Sequence, residues 1–285
     1  MRSAIPWRLK IVAKLVLSRA PVPYRVWNQL GLFKPGGMEK PSYASGVFLS
    51  HSRMAGAEDL NGYTCLEIGP GDSLCSAMIA KATGAARCWL IDTGDFAARN
   101  MAIYRAMARH LEELGLTAPP PQAMSSINAL LAYCNTTYLT RGVDSLRAVP
   151  DGSVDFIWSH AVLEHIRRRD FDTLLYEMRR VLRPGGVGSH TVDLQDHLGG
   201  ALNNLRFPEW LWEADWFARS GFYTNRIGCA EMMARFKAAG FVAELRNRRD
   251  FGVLPTPRAK LARPFCDRAE DELRVAGFDV VLRHV

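Results

Sequence analysis

The chain has 285 residues, 48% of them hydrophobic and 23% charged, which suits a globular protein with a sizeable core and excludes a low-complexity or disordered chain. Its formal net charge of +7 is concentrated at one end: residues 1–60 hold nine Lys or Arg against three Asp or Glu, and the remainder is almost neutral. That distribution argues against a nucleic-acid-binding body, whose basic residues would spread over one face.

The N-terminus, "MRSAIPWRLKIVAKLVLSRAPVP", is too charged and too short to span a bilayer, and no small-residue cleavage site follows its apolar run. On a helix, Leu9, Val12, Leu15 and Val16 share one face with Ile11 near its edge, and Arg8, Lys10, Lys14 and Arg19 surround it. Such a basic amphipathic helix packs on its own domain or on a sister subunit, or lies on an anionic membrane surface through residues 1–20. The next stretch, "LGLFKPGGMEKPSYASGVFLSH", reads as a loop-rich connector broken by Pro35, Gly36 and Gly37. Residues 1–59 are therefore read as a basic arm or cap, and residues 60–285 as one catalytic domain.

From residue 60 strands and helices alternate. "YTCLEIG" is a strand, "SLCSAMIAKATG" a helix stopped by Gly84, and "ARCWLID" a strand ending at Asp92. "FAARNMAIYRAMARHLEELG" is a helix closed near Gly115, "SSINALLAYC" a short helix and "TTYLT" a weak third strand. "SVDFIWSH" is a buried strand, and "FDTLLYEMRRVL" a helix with Phe171, Leu174, Leu175, Met178, Val181 and Leu182 on one face. After "RPGG" come the strand "VGSHTVDL", the helix "CAEMMARFKAAGF" and the strands "VAELRNR" and "FDVVLRH". This order predicts an α/β fold with a mostly parallel sheet and helices on both faces, whose ligand sits beyond the carboxyl ends of the strands. None of the six cysteines forms a C-x-x-C pair, so no metal ligand set is assigned, and they read as reduced thiols of a cytosolic protein.

The turn "EIGPGDS" marks the ligand site. A P-loop would place Lys after its last glycine, and none is here; a dinucleotide fingerprint would place Gly at position 74, which is Leu74. Glu67 and Asp72 would repel a pyrophosphate but suit a ligand carrying sulfonium and ammonium charges. "LEIGPGDS" resembles the first motif of class I S-adenosylmethionine-dependent methyltransferases. The resemblance continues through "CWLID", "VPDGSVDFIWSHAVLEHI", "EMRRVLRPGG", "AGF" and "FDVVLR", covering roughly residues 60–285. It implies a Rossmann-like seven-stranded sheet with an antiparallel last strand, and S-adenosylmethionine as cofactor with S-adenosylhomocysteine as product.

The resemblance also implies roles. Gly69, Pro70 and Gly71 form the turn against the cofactor, Glu67 faces its amino-acid end, and Asp92 accepts the two ribose hydroxyls. Asp144 and Ser145 meet the adenine edge, and Ser159 and His160 end the fourth strand beside the methyl group. The "SHAV" after that strand differs from the [DN]-P-P-[FYW] of amine and amide methylation, and no Pro-Cys nucleophile is present. A hydroxyl acceptor needs a base, and histidine titrates in the useful range. "HTVDLQDH" offers His190 or His197 as base with Asp193 or Asp196 to orient it. A divalent cation on the same segment is a less favoured reading. His165 reads as structural, and Arg167, Arg168 and Arg169 as a solvated helix start.

Residues 197–228 form an aromatic insertion with Trp210, Trp212, Trp216, Phe217, Phe222 and Tyr223, followed by Asn225 and Arg226. Insertions here form the substrate lid in the family. Through "LGLFKPGGM", "HTVDLQDH" and "FYTNRIG" the chain also resembles methyltransferases of bacterial surface-polysaccharide and lipid-linked glycan assembly. The expectation is O-methylation of a saccharide or similar hydroxylated small molecule, in the cytoplasm or at the inner face of the membrane. The alternatives are another acceptor (a natural-product phenol, a lipid or a nucleic acid) and a non-catalytic cofactor-binding scaffold subunit.

Overall fold

The computed structural model describes residues 6–17 and 37–285. Among them, seven strands form one sheet in the order β3-β2-β1-β4-β5-β7-β6. They are β1 (Thr64–Ile68), β2 (Arg87–Ile91), β3 (Thr136–Leu139), β4 (Val154–His160), β5 (Leu182–Asp193), β6 (Val242–Asp250) and β7 (Val275–Arg283). Strands β1 to β5 run parallel, and β7 is antiparallel to both β5 and β6. This is the Rossmann-like sheet that the sequence predicts. Strand order reverses between β1 and β4, and that switch point opens the crevice at the carboxyl ends.

The central strands are apolar because helices cover both faces. On one face, α2 (Pro41–Ala55), α3 (Cys75–Ala82) and α4 (Met101–Glu113) pack Phe48, Met78 and Tyr104 around Trp158. A short helix α5 (Ile127–Tyr133) leads into β3. On the other face, α6 (Arg168–Val181) and α9 (Cys229–Ala238) bury Phe171, Met178 and Phe236 with Phe278 of β7. Edge strand β6 carries Glu244, Arg246, Arg248 and Arg249 on an exposed ribbon, and charge there discourages pairing with another chain.

Two elements differ from the sequence expectation. Helix α4 starts at Met101 rather than Phe96, because the Asn100 side chain accepts the Ala102 amide and caps the helix there. Residues 41–55, read as part of a connector within the cap, form α2, whose Ala44, Val47, Phe48 and Ala55 are buried in the same cluster as β1. Pro41 sits in its first turn, where a missing amide hydrogen costs nothing. The serines and Gly46 obscured the i, i+3, i+4 pattern.

Helix α1 (Trp7–Leu17) packs on the aromatic insertion. Ile11 joins Leu198, Trp212, Phe217 and Phe222, flanked by Trp7 and Leu15. Lys10 Nζ donates to Leu198 O at 2.6 Å and Lys14 Nζ to Gly221 O at 3.0 Å. The single apolar face expected from sequence is thus divided: Ile11 and Leu15 turn inward, while Leu9, Val12 and Val16 remain 58%, 58% and 64% exposed. Arg2, Arg19 and Arg25, and residues 30–36 of "LGLFKPGGM", lie outside the described residues.

Candidate active site

A cavity of about 630 Å³ opens at the carboxyl ends of β1, β2 and β4. One end is walled by Glu67, Gly69, Pro70, Gly71 and Asp92; the other reaches Tyr43, His160, His165 and His197. Lys14 of α1 and Gly221 of the insertion complete the second end.

The glycine turn is shaped by necessity. Gly69 and Gly71 have φ of +76° and +70°, the left-handed region that side chains avoid. A Cβ on Gly69 would also lie 2.4 Å from a Val162 methyl, whereas one on Gly71 would meet no atom within 4 Å. Asp92 braces the turn: its Oδ2 accepts the Gly71 amide at 3.1 Å and its Oδ1 the Thr93 amide at 2.7 Å. Burial raises its pKa above the ordinary carboxylate value.

Glu67 is sealed at the end of β1. The Trp158 indole donates to its Oε1 at 3.0 Å, and Oε2 is buried with no hydrogen-bond partner. Burial pushes Glu67 up to about 7, partly opposed by the Ser76 hydroxyl and the indole. The Ser76 hydroxyl is close enough to act electrostatically but falls outside hydrogen-bond geometry. An orphaned carboxylate oxygen on the cavity wall fits a cationic ligand, and the Cβ-free turn leaves room for it. Asp72 adds a second carboxyl, raised to about 6 by burial and by the nearby Glu39. The residues present therefore fit S-adenosylmethionine.

The expected adenine contacts are displaced. Gly142, Val143 and Leu146 line the cavity, while Asp144 is exposed and paired with Arg147. The Ser145 hydroxyl accepts the Arg141 amide instead. Because β3 is followed by 3₁₀ turns, the side chains at 144 and 145 point away from the wall that their neighbours form. Thr93 and Phe96 line the cavity and were not singled out by sequence.

The "HTVDLQDH" segment divides. His190 is fully buried and lines no part of the cavity; its Nδ1 lies 2.8 Å from Ser159 Oγ, and Ser159 is equally buried. Burial drives His190 down to about 3, so it stays neutral inside the sheet. Neither His190 as base nor Ser159 as a cofactor contact is supported by this placement. Asp193 Oδ1 accepts the Gln195 amide at 2.9 Å. Asp196 accepts the Leu198, Gly199 and Asn203 amides and the Asn203 side chain. Both carboxylates shape the turn after β5, as Asp commonly does, and neither hydrogen-bonds a histidine there.

His160, at the end of β4, lines the cavity. Its Nδ1 lies 3.2 Å from His51 Nε2, and His51 Nδ1 lies 2.9 Å from Ser189 Oγ. The Tyr43 ring meets His160 edge-on with centroids 6.3 Å apart. Burial lowers both imidazoles, His51 to about 3. His51 and Tyr43 carry no sequence signal, because the serines and Gly46 of α2 give it the pattern of a connector.

His165 and His197 face each other with ring centroids 4.6 Å apart. His165 Nδ1 lies 2.8 Å from the Tyr223 carbonyl, which can only accept; Nδ1 therefore carries the hydrogen and Nε2 the lone pair. Burial lowers His165 to about 4, although its ring surface opens onto the cavity. Beside them Glu164 is buried, and neither of its oxygens has a hydrogen-bond partner. Burial pushes it up to about 8; its own amide and that of Asp193 act on it electrostatically but outside bonding geometry.

The insertion packs on itself. Trp212, Phe217, Phe222 and Tyr223 form one cluster, while Trp210 and Trp216 are 75% and 53% exposed. Asn225 Nδ2 donates to the Leu163 and Ile166 carbonyls, tying the insertion to the loop after β4. The Arg226 guanidinium lies against Trp212 and Phe265 and donates to Phe207 O. Arg167 and Arg168 pair with Glu213, Asp215 and Glu231, linking α6 to the insertion and α9, while Arg169, paired with Asp215, stays mostly exposed as the sequence suggests.

Residues 66–188 match the model of a family described as a methyltransferase domain. Solved structures with a similar fold include an S-adenosylmethionine-dependent methyltransferase from Mesorhizobium loti, 17% identical over 84% of this chain and 98% of that one, with a TM-score of 0.45. A phosphoethanolamine N-methyltransferase from Haemonchus contortus is 16% identical over 87% of this chain and 53% of that one, at 0.44. An arsenic(III) methyltransferase from Chlamydomonas reinhardtii is 15% identical over 96% of this chain and 71% of that one, at 0.43. No curated protein matches the chain. The matched span begins inside β1, takes in the glycine turn and Asp92, and ends inside β5, so the chain carries a methyltransferase domain there.

Proposed function

We propose that the enzyme methylates a hydroxyl oxygen of a saccharide or similar hydroxylated small molecule, with His160 as general base. The observation that carries this reading is the relay His160–His51–Ser189 behind the cavity wall. S-adenosylmethionine supplies an electrophilic methyl group. Asp92 accepts the ribose hydroxyls, and Glu67 and Asp72 offset the positive charge of the amino-acid end and the sulfonium. If His160 Nδ1 donates to His51 Nε2, and His51 Nδ1 donates to Ser189 Oγ, the His160 Nε2 lone pair faces the cavity. It takes the hydroxyl proton as the oxygen attacks the methyl carbon in line; Asp279 favours the imidazolium that results, and its ion-pair partner Arg249 opposes it.

The polar, histidine-lined acceptor end supports a hydroxylated substrate over an apolar phenol. The exposed stripe Leu9, Val12 and Val16, with Arg8 at its side, supports contact of the arm with an anionic membrane, where a lipid-linked acceptor is presented. No helix among the described residues is long and apolar enough to cross a membrane.

The test is transfer of labelled methyl to a panel of free and lipid-linked sugars, run with wild type, His160→Ala and His51→Ala. The reading requires product from a sugar, a 10²–10⁴-fold loss of kcat in His160→Ala and retained cofactor affinity. Because His160 is held below the ordinary imidazole value, the acid limb of kcat/KM should lie below about pH 6.5. Label appearing only on amines, or full activity in His160→Ala, would overturn it.

A further inference from the structure

The histidine pair at the acceptor end leaves a group of atoms that the base chemistry of His160 does not use. Glu164, His165 and His197 each present one ligand atom, and these atoms all lie within 4.8 Å of one another. Glu164 is 1% exposed with both oxygens unpartnered, an arrangement that costs free energy unless a proton or a cation compensates it. A backbone carbonyl, that of Tyr223, holds His165 Nδ1 at 2.8 Å and orients its Nε2 lone pair. Such support of the second ring nitrogen is what metal-ligating histidines ordinarily have.

We infer that Glu164, His165 and His197 bind a divalent transition-metal ion at the acceptor end of the cavity. Two imidazoles and one carboxylate suit zinc, manganese or iron(II) better than calcium or magnesium, which favour oxygen ligands. Three protein ligands leave coordination positions open, and His165 and His197 face the cavity that would fill them. Lys14, held by the Gly221 carbonyl at 3.0 Å, lies on the same wall. Its positive charge opposes the ion, which sets the affinity below that of a closed structural site. The role of the ion rests on the O-methylation reading: it binds the acceptor hydroxyl oxygen and makes the proton easier to remove. His160 takes that proton, the oxygen–carbon bond forms, and the sulfur–carbon bond breaks to leave a neutral thioether. Binding of the ion does not depend on that reading.

The experiment is calorimetric titration of the chelator-stripped full chain with Zn²⁺ and Mn²⁺, in a Cys266→Ser background because the remaining cysteines are buried. The expected result is one ion per chain at micromolar affinity, weakened at least tenfold by Glu164→Gln, His165→Ala or His197→Ala. Co²⁺ loading of the unmutated ligand set provides a reading that no variant can spoil: visible d–d bands without thiolate charge transfer. Absence of saturable binding and of cobalt bands overturns the inference, and so does binding equally tight in all three variants. A chain that binds metal but methylates no hydroxyl retains the site and loses only its assigned role.

Discussion

The bond proposed between Asp92 and the cofactor ribose is the sharpest quantity to measure, and the magnitudes expected of its variants rest on that proposal. Asp92→Ala removes two hydrogen bonds from ribose hydroxyls to a carboxylate, each contributing about 1.5–3 kcal/mol, so binding should weaken by about 3–6 kcal/mol, or 10²–10⁴-fold. The carboxylate also accepts the Gly71 and Thr93 amides, at 3.1 and 2.7 Å, so its loss loosens the turn and pushes the effect toward the upper end. Asp92→Asn keeps one acceptor oxygen without the charge and should lose about tenfold. Without cofactor the melting temperature should change little, since the lost hydrogen bonds are offset by relief of a buried carboxylate whose pKa burial already raises. Titration calorimetry with S-adenosylmethionine and S-adenosylhomocysteine, beside circular dichroism, gives both quantities. A folded Asp92→Ala protein binding within threefold of wild type would refute the ribose assignment.

Gly69→Ala should destabilise the protein by more than Gly71→Ala: both incur the left-handed cost of about 1–2 kcal/mol, but only the first drives a Cβ to 2.4 Å from Val162. Adding Val162→Ala should recover part of the difference in melting temperature; no recovery would mean that the overlap relaxes by itself. Glu67 is raised in the folded state to about 7 from 4.5, so the native state holds a proton that the unfolded chain releases, and stability should fall as pH rises through that interval. Glu67→Gln should flatten this slope and melt higher than wild type above pH 7 without cofactor; parallel melting-versus-pH curves would contradict it. His190→Asn should lower stability by about 1–3 kcal/mol, because Ser159 loses a buried partner, yet leave kcat of the folded fraction within a few-fold. A thousandfold fall in kcat would return His190 to the reaction. Replacing Leu9, Val12 and Val16 by Ser should abolish co-sedimentation with anionic vesicles while sparing the inward Ile11; unchanged sedimentation would remove the membrane contact.

Much of the fold was legible because parallel strands buried on both faces must be apolar runs, and their breaks fall at glycines. The positions of Glu67 and Asp92 at strand ends followed from the same pattern. The acceptor end was less legible because it is assembled across distance. His190 and His197 are seven residues apart in sequence, yet β5 carries one into the sheet while the turn shaped by Asp196 brings the other to the cavity. Alternation along a strand whose faces are both buried does not say which histidine meets solvent. His51 was hidden for a different reason: its helix is rich in serine and glycine, and its burial comes from tertiary packing rather than a strong amphipathic pattern.

The span that matches the methyltransferase family runs from 66 to 188, while Lys14, Tyr43, His51, His197 and Gly221 all lie outside it. The matched span carries the glycine turn and Asp92 and also His160 and His165, and the flanks complete the cavity around those histidines with Lys14, Tyr43, His197 and Gly221. Change in those flanks would reshape the wall around His160 and His165 while leaving the glycine turn and Asp92 untouched. A search for this chain's functional kin should compare the arm, α2 and the insertion rather than the glycine turn.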